Sequence, residues 1–159
     1  MRIAAAIAKG IVTGTQGRAT LHAVPSLALM VGARVDGLVP GTYLALLDAM
    51  RGERYAQRIR VTAAGRVVLE DPLDRIAVRD VPAVCERFGA TAIGPDELLD
   101  ARPHARGALV VAGAWDALPS LALDAWEPTY GRLAEAQVKW EAAHGRALPA
   151  SPAVAEDRA

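Results

Sequence analysis

The pattern of apolar runs predicts an α+β protein, with a mainly β N-terminal half followed by a mixed α/β to helical C-terminal extension. Three observations carry this. Residues 2–16 and 26–35 are dense in Ile, Val, Leu and Ala, as buried strands are. Residues 57–70 show the alternation of a hairpin. From about residue 75, Pro and Gly begin to punctuate short helical stretches. The expected organisation is a barrel-like unit over 1–80, an α/β or helical extension over 81–148 and a loose tail over 149–159.

Taken in order, the runs at 2–16 and 26–35 are expected strands joined by the polar stretch Gly14-Thr15-Gln16-Gly17. Residues 41–56 fit two states. Leu44, Leu47 and Met50 have helical spacing behind a possible Thr42 cap, while Tyr43-Leu44-Ala45-Leu46-Leu47 reads equally as a buried strand. In the hairpin, Ile59 and Val61 alternate with Arg58, Arg60 and Thr62, and Ala63-Ala64-Gly65-Arg66 turns into Val67-Val68-Leu69. Residues 75–80 read as a strand, 82–88 as a short helix ended by Gly89, 95–101 as another helix and 107–113 as a buried strand. A final helix is expected to run up to Gly145, with Pro128 near its first turn.

Composition narrows the function. The 159 residues are 52% hydrophobic but only 4% aromatic, so the core must be built from small aliphatic side chains. The 18 basic residues balance the 18 acidic ones, which disfavours nucleic acid and anionic membranes as partners. Cys85 is the single cysteine; it excludes an internal disulfide or a CxxC pair and fits a reducing, cytoplasmic setting. The apolar run after Arg2 stops at Lys9, too short for a signal peptide, and no stretch approaches 18 apolar residues.

Candidate chemistry is sparse. Gly10, Gly14 and Gly17 behind an apolar run could cradle a phosphate of a small molecule, although they match neither GxGxxG nor a Walker motif. Cys85 stands beside Val84 and Phe88, which favours a buried, inert thiol over a nucleophile. Asp96, Asp100 and His104 have the i, i+4, i+8 spacing of a metal or acid/base site on a helix, but Pro103 interrupts the helix before His104. No catalytic residue, cofactor or metal is assigned. Trp126, Tyr130, Leu133 and Trp140 share one stripe of the final helix, which serves either to dock it on the protein's own core or to bind a partner.

The N-terminal half also carries an ordered set of motifs: Met1-Arg2-Ile3-Ala4, Gly10-Ile11-Val12-Thr13-Gly14-Thr15-Gln16, Thr20-Leu21 and Leu27-Ala28-Leu29-Met30-Val31. Asp36-Gly37-Leu38, Gly41-Thr42-Tyr43-Leu44-Ala45-Leu46 and Arg51-Gly52-Glu53-Arg54 follow, then either Pro72-Leu73-Asp74 with Ile76-Ala77-Val78 or residues 107–116. This series resembles the vertex proteins of bacterial microcompartments, of the carboxysome and ethanolamine-utilization type. The resemblance implies an oligonucleotide-binding-like β-barrel that assembles as a ring of five, a structural shell protein with no substrate or cofactor. Its partners would be its own copies and other shell or cargo proteins. The alternatives are a small α/β domain binding a phosphate-bearing molecule through residues 10–17, or a helical adaptor using its last helix.

Overall fold

A computed structural model of the chain describes residues 2–16, 18–111, 123, 126 and 135–145. The chain divides into two compact units, Met1–His22 with Ser120–Ala159, and Ala23–Pro119. The protein is α+β, with a six-stranded mixed sheet and helices.

The second unit is built around β1 (Gly41–Met50), the segment compatible with either helix or strand. Tyr43, Leu44, Ala45 and Leu46 are consecutively buried, which is possible only for a strand covered on both faces. β1 pairs antiparallel with β2 (Glu53–Val61) from Gly41↔Val61 to Asp48↔Arg54. On its other side it pairs parallel with β5 (Thr91–Gly94), at Tyr43↔Thr91 through Ala45↔Ile93. β3 (Val67–Leu69) and β4 (Asp74–Ala77) both lie antiparallel to β2, one beyond the other along the same edge, and β6 (Leu99–Asp100) lies parallel to β5. The order β3-β2-β1-β5-β6 is open at both ends, so the expected barrel is not formed. β5 and β6 also continue the sheet with chain beyond residue 80.

Alternation along β1 sends Tyr43 and Ala45 to one face and Leu44 and Leu46 to the other. On the first face Ile59, Val61 and Ile93 meet Leu27, Ala28, Met30 and Val31 of α2 (Ser26–Arg34) and Val111 of α4 (Ala108–Val111). On the second, Leu44, Leu46 and Ala56 meet Val81 of α3 (Val81–Phe88), with Val84 and Cys85 packed alongside. Each large side chain sealed in this way, such as Met30, Leu46 or Ile59, contributes about 1.5–3 kcal/mol.

The hairpin over 57–70 forms as its sequence predicts. Thr62 N–H donates to the Arg66 carbonyl at 2.9 Å, Gly65 N–H donates to the Thr62 carbonyl at 2.9 Å, and Gly65 takes φ +68. α3 also follows its local signals. Pro82 sits in the first turn, where no N–H is needed, and Gly89 ends the helix at φ +56, with Ala90 N–H donating to the Cys85 carbonyl at 2.9 Å.

Four other elements differ from expectation. Residues 2–16 form α1 (Arg2–Gly14), because Ala4, Ala5, Ala6 and Ala8 favour helix and the run never alternates. Gln16 ends it at φ +51. Residues 26–35 form α2 and a following 3-10 turn, with buried Leu27, Ala28 and Val31 at helical spacing, so the N-terminal half is not mainly β. The helix expected at 95–101 is a turn with Asp96 at φ +64, followed by β6. Residues 105–111 form a 3-10 turn and α4 where a strand was expected.

That last difference has a backbone cause. A Cβ at Gly32 would sit 2.7 Å from the Gly107 carbonyl oxygen, and one at Gly107 would collide with the Leu29 carbonyl. The two glycines therefore let α2 and the turn before α4 touch backbone to backbone, while Arg106 donates from its guanidinium to the Ala33 carbonyl. Gly107→Ala is expected to destabilise the protein by about 1–3 kcal/mol through overpacking. Gly37→Ala, where a Cβ meets nothing within 4 Å, should change stability by less than about 0.5 kcal/mol. Urea denaturation of the two variants measures the difference, and equal midpoints would refute the close contact.

Candidate functional site

In the first unit, α1 has two apolar faces. Ala5, Ala8, Lys9 and Val12 are half-buried, and the Lys9 ammonium lies 5.9 Å from the centroid of the half-buried Trp126 ring. Opposite them, Ala4, Ile7, Ile11 and Gly14 recur at spacings of three, four and three, which places them on one stripe. Ile7 and Ile11 are each 59% exposed. Gly10 and Gly14 have nothing within 4 Å of a Cβ position, so the stripe stands open. A helix apolar on both sides, with no charged residue in the exposed stripe, has the chemistry of a helix-packing surface.

In the second unit, β1 and β5 run parallel and their carboxyl ends share a charged network. Asp48 Oδ1 accepts from Met50 N–H and from the Arg54 guanidinium, both at 3.2 Å, and Arg54 Nε lies 3.5 Å from Glu97 Oε1. Asp48 thereby braces a β1–β2 turn in which Met50, Arg51 and Gly52 all have positive φ. These half-exposed pairs fix the turn against the β5–β6 loop but contribute little net energy.

On the α3 face, the segment joining β3 to β4 is held to β2 from two sides. Gln57 is 5% exposed and donates from Nε2 to the Asp71 carbonyl at 2.9 Å. The Arg58 guanidinium grips the Asp71 carboxylate with two hydrogen bonds, one of them 2.9 Å from Nη2 to Oδ1. The hydrogen bonds from Arg58 hold the Asp71 carboxyl below the usual carboxylate range and, in return, raise the guanidinium. Arg58 also stacks over Phe88, 3.9 Å from its ring centroid.

The residues singled out in the sequence are dispersed. Gly10 and Gly14 lie in the C-terminal half of α1, where carbonyls and the negative end of the helix dipole disfavour an anion, and Gly17 lies outside the described residues. Cys85 is half-buried on α3; desolvation, with Glu97 second, pushes its thiol up and keeps it protonated. Asp96 lies in a turn, Asp100 on β6, and His104 caps the next 3-10 turn by accepting from Arg106 N–H at 3.1 Å, so no helix presents the three together. No group of three or more possible metal ligands occurs among the described residues.

Trp126 has no regular secondary structure, whereas Trp140 belongs to α5 (Glu135–His144) and stacks on His144 at a centroid distance of 4.2 Å. Tyr130 and Leu133 lie outside the described residues. Gly145 ends α5 at φ +63, as expected. Ile7 and Ile11 were not among the sequence candidates, although their place in a three-four-three series was a readable signal.

A mixed sheet with antiparallel β1, β2 and β3, a parallel β5, and helices on both faces defines the fold class, and solved structures share it. One is an uncharacterized protein with similarity to peptidase YeaZ from Pseudomonas aeruginosa, at a TM-score of 0.64 and 21% identity over 82% of this chain and 67% of that one. Another is YeaZ from Pseudomonas aeruginosa, at a TM-score of 0.59 and 21% identity over 81% of this chain and 66% of that one. The chain thus spans about two thirds of the length of each. No protein-family model matches the chain, and no curated protein does. The likeness to YeaZ structures and the open sheet overturn the resemblance to microcompartment vertex proteins, and with it the shell function and the ring of five. Among the described residues no helix is long and apolar enough to cross a membrane.

The Arg58–Asp71 pair gives a pH test. A carboxylate whose folded pKa is lowered adds stability above its unfolded value of about 3.9, and this is lost as pH falls through the folded value. Asp71→Asn should lower the urea midpoint at pH 7, and its curve should converge with wild type in acid, once the pH has fallen through the lowered folded value. A difference that persists undiminished in acid would show that the pair does not account for it.

Proposed function

We propose that the chain is a YeaZ-like protein that works by association, with the exposed stripe of α1 as a self-docking surface for a second copy of the chain. The observation that carries this is the exposure of Ile7 and Ile11 on a helix whose other face is already half-buried. Spacing of three-four-three suits packing against an identical helix about a two-fold axis, where the same patch serves both partners. Lys9 points away from the stripe, over Trp126, so two copies bring no charges together at the contact. A helix of this length covers a modest area, so association is expected in the micromolar range.

The name peptidase, carried by one of the similar structures, raises a hydrolytic reading. Its support in this chain is Thr20 Oγ1, 3.1 Å from His22 Nε2, a hydroxyl–imidazole pair. That pair is exposed and joins residues two apart on one connection, so the association reading is better supported.

Sedimentation velocity up to about 200 µM should show wild type moving from monomer towards dimer, with Ile11→Asp monomeric throughout. A wild-type chain that stays monomeric across that range, or a dimer indifferent to Ile11→Asp, would overturn the proposal.

A further inference from the structure

The carboxyl end of β1 presents a methionine to solvent. Met50 stands where the β1–β2 register shifts, just before the turn at Arg51 and Gly52, and its φ is +66. Its N–H donates to Asp48 Oδ1 at 3.2 Å, and the Arg54 guanidinium holds the same oxygen, so the backbone there is fixed. Val78 N–H braces the turn from the other side by donating to the Gly52 carbonyl at 2.9 Å. On this braced turn Met50 is 57% exposed, whereas Met30 of α2 is 0% exposed, sealed between α2 and the sheet. Met1 lies outside the described residues.

Two thioethers of the same intrinsic reactivity thus face opposite environments, and access decides which of them an oxidant meets. We propose that Met50 is a modification site, oxidised by small hydroperoxides to a sulfoxide that the fold tolerates. A sulfur lone pair attacks the near peroxide oxygen, and the S–O bond forms as the O–O bond breaks. Sulfur gives up two electrons; the departing oxygen takes the proton of the transferred one and leaves as water or as an alcohol. At Met50 the new polar oxygen stays in water, so no buried group is left unpaired. At Met30 the same oxygen would enter the apolar layer between α2 and the sheet. This proposal is independent of the association through α1, since it uses the other unit and needs no second copy of the chain.

Treatment of the full chain with hydrogen peroxide, followed by proteolysis and mass mapping of the peptides, tests it. In the folded protein Met50 should gain one oxygen at least about tenfold faster than Met30. In denaturing urea the two should react at equal rates, which shows that the fold makes the distinction. Met50→Leu should remove the fast site, and wild-type chain oxidised at Met50 should keep its urea midpoint. Rates at Met50 and Met30 within about twofold of each other in the folded chain overturn the proposal, as does a midpoint that falls while Met50 is being oxidised.

Discussion

Everything in the second unit depends on β1 being buried on both faces at once. Its consecutive run Tyr43-Leu44-Ala45-Leu46 has no exposed position, so it must lie at the centre of a sheet with a helix layer on either side. The antiparallel partner follows from the short turn at Arg51-Gly52. The parallel partner requires a crossover, which α3 provides. α2 and α3 are then placed by which apolar residues β1 turns towards each.

Legibility in the sequence tracked how local the deciding interaction is. The hairpin over 57–70 and helix α3 could be read because Gly65, Pro82 and Gly89 act on their nearest neighbours. Segments 2–16 and 26–35 are short apolar runs, which look alike as helix or strand until the partner layer is known. Even so, four alanines within Ala4–Ala8 and the absence of alternation pointed to helix in the first. At 107–111 the deciding feature is the contact of Gly107 with Leu29 and Gly32 of α2, far away in sequence, and no local pattern announces it.

The same reasoning explains the vertex-protein resemblance. The segment from Gly10 to Gly14 lies on helix α1 and not on a strand, so Gly10 and Val12 project from different sides of it. Of the surface features, the α1 stripe was encoded in plain spacing, whereas the stack of Arg58 on Phe88 was not. Arg58, Asp71 and Phe88 come together only through the sheet register and the packing of α3 on the sheet.

The strands at the margins of this sheet are very short: β3 has three residues, β4 four and β6 two. β3 and β4 share the outer flank of β2 end to end, with the Asp71 segment tethered in the gap between them. A foreign strand therefore finds no long row of unpaired N–H and C=O groups on which to template, and this blunts edge-to-edge growth into fibrillar aggregates. Partners are steered towards helix faces, so specificity must come from side-chain shape rather than from generic main-chain pairing.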